Sequence, residues 1–255
     1  MSTHDDRLSF LFPMWNEEAM IRRTVGAAHH AGGLLVAGGD VRSYEVVIVD
    51  DASTDATGKI ADALADEDPR VVVVHHPENR KLGGAIKSGF AAASGDVVLY
   101  TDADLPCDLV ETTKALRLLR LYDADIVSAY RFDRTAEGAQ RAVYSYVYNH
   151  VVRWVLGVRI RDVNFAFKLL RRRVLDHVDL VSEGSFIDAE LMAKAHRRGF
   201  RYVQFGVDYI ARTRGTSTLS SPAVIATMVR ELAALYNDIR SVERLPPGLL
   251  DGESA

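Results

Sequence analysis

Five short runs rich in β-branched and aromatic residues alternate with helix-like segments across the first half of this chain, and that alternation constrains the fold more than any single motif. The runs are Leu8 to Phe12, Tyr44 to Val49, Val71 to His75, Asp96 to Tyr100 and Asp125 to Ala129, with helical periodicity at about 17–31, 55–67, 83–93 and 108–121. Strands separated by helices are joined by right-handed crossovers, so the expected fold is α/β, a mostly parallel sheet flanked by helices. Ligands of such sheets bind outside the carboxyl ends of the strands, near the topological switch point. Four of the five runs end there in polar or turn-forming residues: Pro13-Met14-Trp15-Asn16-Glu17, Asp50 to Asp55, Thr101-Asp102-Ala103-Asp104, and Tyr130-Arg131.

The second half reads differently. Residues 140–157 have the pattern of an amphipathic helix with Tyr144, Val147, Tyr148, Val151 and Val155 on one stripe. Another helix is expected from Ser185, whose spacing to Asp188 resembles a capping box, to Gly199. A strand follows at Tyr202 to Tyr209, and a last helix runs from Ser221-Pro222 to about Arg240. Residues 1–245 read as one domain, with a first half at about 7–130 and a second half at about 131–240, and 246–255 as a flexible tail.

At 255 residues, with 48% hydrophobic and 26% charged, the chain can bury a large core. A net charge of −4 argues against general nucleic-acid binding. The single Cys107 fits a reducing compartment, no signal-peptide pattern opens the sequence, and no apolar run approaches the ~20 residues that span a bilayer. The expectation is a cytoplasmic protein whose contact with a membrane, if any, is peripheral and on its inner face. Residues 140–173 carry eight Lys or Arg (Arg141, Arg153, Arg159, Arg161, Lys168, Arg171, Arg172 and Arg173) against the single acid Asp162. That excess suits an anionic headgroup or membrane surface, or equally a solvated basic face. His29-His30 and His75-His76 lack metal-ligand spacing and read as structural.

Asp102-Ala103-Asp104 puts two carboxylates at the tip of an apolar strand. Mg²⁺ or Mn²⁺ prefers oxygen ligands and binds through one or two carboxylates completed by substrate phosphates and water, so a nucleoside diphosphate is the matching substrate class. Alone the pattern is weak, because strand ends often carry Asp as a turn former. Asp51 is suited to accept hydrogen bonds from a nucleobase N–H or a ribose hydroxyl, whereas Ser53, Thr54 and Asp55 read as a helix cap and first turn.

Taken in order, these segments resemble family-two glycosyltransferases. Pro13 to Glu17 is similar to their P-x-Y-N-E start, and Val49-Asp50-Asp51-Ala52-Ser53-Thr54-Asp55 to their V-D-D-x-S-x-D. Asn79 through Gly89 is similar to their N…G-x-A-x-x-x-G, and Asp102 to Asp104 falls where they carry D-x-D. The subgroup most resembled is the dolichyl- or polyprenyl-phosphate mannose or glucose synthases. Its marks are Ser128 to Arg131, Arg141 with Asn149, Arg161 to Leu169, Glu183 to Glu190, and Arg212 to Ser217.

The resemblance implies a GT-A-type fold and an inverting, divalent-metal-dependent transfer of a hexose from a nucleotide sugar, of the GDP-mannose or UDP-glucose type, to polyprenyl or dolichyl phosphate. It implies nucleotide-sugar contacts from Pro13, Trp15, Glu17, Val49, Asp51, Asp102 and Ala103, and Mg²⁺ or Mn²⁺ at Asp104 and Asp102. Catalytic roles fall to Asp104, Arg131 and Arg212, the last two facing phosphates. Arg141, Asn164, Asp188 and Ser217 fall on the acceptor side. Asp188 and Glu190 are also candidate general bases for a hydroxyl acceptor, or simply helix N-terminal charges. Pro106 stands where these synthases usually carry a metal-binding Gln, Thr218 where they often have Lys, and Phe205-Gly206-Val207-Asp208 replaces Glu-Val-Pro. Two alternatives follow from those departures: transfer to a soluble hydroxyl acceptor, or a non-catalytic nucleotide-sugar-binding subunit. The glycine-rich, arginine-containing first loop of a nucleotidyltransferase is missing after Phe12.

Overall fold

The structure, a computed structural model, describes residues 7–132, 139–210 and 222–250, with side chains described outside 139–145 and 222–225. The strands are β1 (Arg7–Met14), β2 (Ser43–Asp50), β3 (Val71–His75), β4 (Val97–Thr101), β5 (Ile126–Arg131), β6 (Phe167–Arg171) and β7 (Tyr202–Val207). The helices are α1 (Ile21–Ala37), α2 (Thr57–Glu67), α3 (Lys81–Ala92), α4 (Glu111–Leu121), α5 (Ala139–Leu156), α6 (Arg172–His177), α7 (Ile187–Arg198), α8 (Pro222–Ser241) and α9 (Pro247–Leu250). One seven-stranded sheet runs in the order β3-β2-β1-β4-β6-β5-β7, and only β6 is antiparallel to its neighbours.

The chain walks outward from β1 to β2 to β3, then returns to place β4 on the other side of β1. That reversal leaves a crevice at the carboxyl ends of β1 and β4, where such sheets bind ligands. Buried side chains form two layers. Phe10, Phe12, Val46, Ile48 and Leu99 meet α1 and α4 on one face, and Leu11, Val47, Val98 and Tyr100 meet α3, α5 and α7 on the other. Gly89 lets α3 lie flat on the sheet, since a Cβ there would collide with Leu11.

β6 is the element that the sequence pattern missed. It sits between β4 and β5, its second residue, Lys168, is fully buried in register with Tyr100 and Ser128, and a lysine inside a five-residue run hides a strand. The basic excess around it is largely spent inside the fold. Arg171 Nε donates to the Ala124 carbonyl, Arg172 donates to the carbonyls of Ala93 and Gly95, Arg173 pairs with Asp125, and Arg153 donates to Ile160 O. These arginines tie loop carbonyls to the sheet, and Arg161 stacks on Tyr130.

Several local expectations shift. α2 begins at Thr57, and its first-turn N–H is capped by Asp55 (2.9 Å), while Ser53 and Thr54 bond the loop after β1. The expected capping box at Ser185 and Asp188 does not form, because α7 starts at Ile187 without a side-chain cap and Asp188 turns toward Lys168. α7 does end at Gly199, which adopts the left-handed φ of 96°. α5 buries Tyr148 and packs Val151 against the core as expected, but it also buries Val152 and Leu156 and leaves Val147 and Val155 exposed, so its buried face is rotated from the expected stripe. Pro247–Leu250, inside the segment expected as a tail, forms a single helical turn, and Leu250 packs against the core.

Candidate active site

The loops after β1 and β2 are laced together before they reach any ligand. Asn16, at a left-handed φ of 56°, donates its N–H to Ser53 Oγ (3.0 Å) and accepts from Thr54 N–H (2.8 Å). Glu17 N–H donates to Thr57 Oγ1 (2.8 Å), and Glu18 accepts from Ala56 N–H (2.9 Å). Of the five non-glycine residues with positive φ among the described residues, Asn16, Ala52, Lys81 and Leu105 follow β1, β2, β3 and β4 respectively, and the fifth, Asp123, follows α4. Left-handed backbone costs an L-residue ~1 kcal/mol or more and clusters where structure serves a site. The strain therefore collects along the carboxyl edge.

Between these loops lies a cleft of about 360 Å³, lined by Pro13, Met14, Trp15, Glu17, Asp51, Asn79, Lys81, Leu82, Ala85, Asp102, Ala103, Asp104 and Ser185. Its lining combines apolar side chains with four carboxylates, which suits a small molecule with a flat body and polar edges. The D-x-D loop is held from both sides: buried Thr24 of α1 donates to the Ala103 carbonyl, and the Pro106 carbonyl accepts the Ile210 N–H at 2.9 Å. Asp51 Oδ1 accepts from the Arg80 N–H (2.8 Å) and from His76 Nδ1 (2.6 Å).

Asp102 and Asp104 face this one cleft with hard oxygen donors only. Among the described residues no group of three or more His, Cys, Asp or Glu could hold a metal, and Pro106 offers no side-chain oxygen. That donor set fits Mg²⁺ or Mn²⁺ whose remaining ligands come from substrate phosphates and water.

Comparison with known proteins decides the family. A model described as Glycosyl transferase family 2 matches residues 9–179. The polyprenol monophosphomannose synthase of Mycolicibacterium smegmatis is 31% identical over 237 residues, covering 88% of this chain and 85% of that protein. The chain belongs to glycosyl transferase family 2.

Other family 2 relatives include an undecaprenyl-phosphate mannosyltransferase of Micrococcus luteus, 28% identical over 92% of this chain and 98% of that one. Glycosyltransferase AglD of Haloferax volcanii is 33% identical over 79% of this chain, which spans only 33% of AglD. Solved structures show the same fold. Glucosyl-3-phosphoglycerate synthase from Mycobacterium tuberculosis, in complex with Mn²⁺, UDP and glucosyl-3-phosphoglycerate, superposes with a TM-score of 0.69 at 20% identity, covering 91% of this chain and 80% of that chain. Mannosyltransferase PcManGT from Pyrobaculum calidifontis, in complex with GDP-Man and Mn²⁺, gives 0.65 at 20% identity, covering 98% and 68%. The fold is GT-A, as the motif order implied, and the chain is a glycosyltransferase.

This family 2 chain gathers Pro13, Trp15, Glu17, Asp51, Asp102, Ala103 and Asp104 around one cleft, and it places the remaining expected residues elsewhere. The Val49 side chain is fully buried in the core of β2 and does not line the cleft. Arg131 does not line the cleft; its guanidinium grips buried Asp162 through two hydrogen bonds (2.7 and 3.0 Å) over the rings of Phe165 and Tyr209. Asn164 Oδ1 is buried without a hydrogen-bond partner among the described residues. The Arg141 side chain, Arg212, Ser217 and Thr218 lie outside the described residues.

Asp188 is not poised as a base. It is buried and paired with Lys168 Nζ, and burial pushes its carboxyl above the usual range, with Lys168 opposing. Burial, then the charge of Asp188, pushes the neighbouring Tyr100 hydroxyl upward as well. Glu190 is fully buried too. Its two oxygens accept the consecutive N–H groups of Val181 and Ser182 (both 2.8 Å) and Lys194 Nζ at 2.8 Å. It fastens the loop that carries Ser185 to the cleft, and that loop crosses α3 at Gly83, where a Cβ would meet the Ser182 carbonyl. The sequence reading missed Ser185, Lys81 and His76. Asn79 and Lys81 lie inside a motif already recognised, but nothing local marks His76 as the partner of a residue twenty-five positions earlier.

Proposed function

We propose that this glycosyltransferase moves a hexose from a nucleotide sugar of the GDP-mannose or UDP-glucose type to polyprenyl or dolichyl phosphate, with inversion and with Mg²⁺ or Mn²⁺. The observation that carries the donor half is the convergence of Trp15, Glu17 and Asp51 with Asp102 and Asp104 in one cleft at the switch point of the sheet. In this reading Pro13 and Trp15 pack the nucleoside, Asp51 accepts from the base, and Asp102 reaches the ribose. Asp104, sharing with Asp102, would hold the divalent cation, which supplies charge neutralisation for the departing diphosphate. Arg212 is assigned to phosphate, for which its planar fork is suited. Arg131 is better read as a support that orders the 162–165 segment through Asp162.

The acceptor assignment rests on the relatives, whose names specify polyprenol or undecaprenyl phosphate. Charge distribution favours it over a hydroxyl acceptor. A phosphate is already ionised and needs no strong base, whereas a hydroxyl does, and the second-half carboxylates nominated for that task, Asp188 and Glu190, are engaged in buried pairs with Lys168 and Lys194. Among the described residues no helix is long and apolar enough to cross a membrane, so contact with a lipid acceptor would be peripheral. We assign residues 1–245 to a single unit. Incubation with labelled nucleotide sugars and membrane extract tests the proposal: label in the lipid fraction supports it, and a water-soluble product or binding without turnover refutes it.

A further inference from the structure

His76 follows β3, and its imidazole is almost completely buried, as is the carboxylate that it touches. Nδ1 lies 2.6 Å from Asp51 Oδ1, and Nε2 lies 2.8 Å from Ser88 Oγ on α3. A carboxylate only accepts, so Nδ1 carries a proton there. Arg80 Nη1 donates to Ser88 Oγ at 3.4 Å, which leaves the serine hydroxyl hydrogen to point at Nε2. The ring is thereby fixed at both ends. The His76 N–H also donates to the Asp50 carbonyl at 2.9 Å, which fixes its backbone against β2.

The consequence falls on Asp51. Its Oδ1 already receives two donors, His76 Nδ1 and the Arg80 N–H. Among the described residues Oδ2 receives none, while Asp51 borders the cleft. We infer that His76 is a positioning residue for nucleoside recognition, clamping Oδ1 of Asp51 so that Oδ2 is presented as the single acceptor to the bound base. The inference rests on the reading of Asp51 as the nucleoside contact. Clamping one oxygen removes the rotation about χ2 that would otherwise be lost on binding, and it fixes the direction from which a donor must approach. The clamp acts on binding of the nucleoside, which is remote from the transferred bond, so it is expected to move KM far more than kcat.

The experiment is isothermal titration of the wild-type chain and the variants Asp51→Ala, His76→Phe, His76→Asn and Ser88→Ala with GDP and UDP in MnCl₂, alongside KM and kcat for the matching nucleotide sugar. His76→Phe keeps the ring without a donor, and the expected loss is about tenfold or more in affinity, the size set by one hydrogen bond to a charged group, with kcat little changed. Asparagine places an amide N–H near the Nδ1 position, and restores most of that affinity. Ser88→Ala, which leaves the carboxylate contact but loosens the ring, loses about threefold. A merely structural role for His76 predicts instead that Asn and Phe destabilise the chain alike and that affinity of the folded fraction is unchanged, which overturns the inference. If His76→Phe does not fold, the decision passes to Ser88→Ala and His76→Asn, and wild-type affinity in Ser88→Ala overturns it. If Asp51→Ala binds as tightly as wild type, or neither nucleotide binds wild type, the nucleoside reading itself fails. If Asp51→Ala loses binding while His76→Phe keeps it, only the present inference fails.

Discussion

Around the carboxyl ends of β1, β2 and β4, Glu17, Asp51, Asp102 and Asp104 border an open cleft, whereas Asp162, Asp188 and Glu190 in the second half lie in buried pairs with Arg131, Lys168 and Lys194. The same two residue types serve ligand chemistry in one region and internal wiring in the other. What separates them is where the carboxylate sits: the first-half acids line a cleft, and the second-half acids face Lys or Arg inside the fold. The excess of Lys and Arg in 140–173 satisfies local carbonyls and carboxylates, while the first-half acids converge on the cleft, where Lys81 also stands. Acids that converge on one cleft at a sheet edge are therefore more informative than acids counted along the sequence.

The comparison breaks most sharply at Asp104. Asp104→Ala is expected to reduce transfer by ~10³-fold or more, about 4 kcal/mol of transition-state stabilisation, with little change in folding. Wild-type transfer rates in the presence of Mn²⁺ would remove the metal assignment. The second half should respond in the opposite currency. Lys168→Met leaves Asp188 buried beside Tyr100 without its cation, and should lower unfolding free energy by about 3–5 kcal/mol in urea titrations. Adding Asp188→Leu should recover much of the loss; a single variant within 1 kcal/mol of wild type would show that the pair does not hold β6 to α7.

Arg212→Ala sharpens the boundary between the two regimes. If it serves phosphate, as the resemblance implies, kcat/KM falls by roughly 10²-fold and Tm stays put; a lowered Tm with normal kinetics would move it to the wiring group. The smallest expected effect is at His75, which bridges Asp50 (3.0 Å) and Asp62 (2.9 Å) on the outside of the same edge. Hydrogen bonding to Asp62, its largest influence, followed by an opposing burial penalty and the bond to Asp50, raises its pKa from the usual 6.5. A raised folded value means that the contribution is fully present below 6.5 and disappears as pH climbs through the folded value. His75→Asn should flatten stability across that window by a fraction of what Lys168→Met costs; an unchanged pH profile would exclude the bridge.

Much of the fold was legible because β1 to β5 are apolar runs set apart by helices of ordinary length, and Gly199 marks the end of α7 plainly. β6 was hidden because one of its five residues is a lysine, Lys168, whose partner, Asp188, lies twenty positions ahead on another element. The face of α5 was misread because apolar residues surround nearly the whole helix, so periodicity alone does not select Tyr148, Val152 and Leu156 over Val147 and Val155. At the site, residues that line the cleft cluster in motifs and could be named in advance. Those that hold them, such as His76 behind Asp51 and Glu190 behind the Ser185 loop, act through contacts between separate elements and leave no mark on the local pattern.

The central claim is that the carboxylate-rimmed cleft binds a nucleotide sugar through a divalent cation. Thermal-shift titration of the wild-type chain with GDP-, UDP- and dTDP-sugars, each with and without Mn²⁺, tests it directly, with Asp104→Ala and Asp51→Ala in parallel. At a ligand concentration of about a hundred times Kd, linkage adds ~2.7 kcal/mol, which corresponds to a rise in Tm of roughly 5–10 °C for a chain of this size. The account predicts such a rise for one nucleotide class, dependent on Mn²⁺ and lost in both variants. No shift with any nucleotide sugar, or an equal shift in Asp104→Ala, would contradict it.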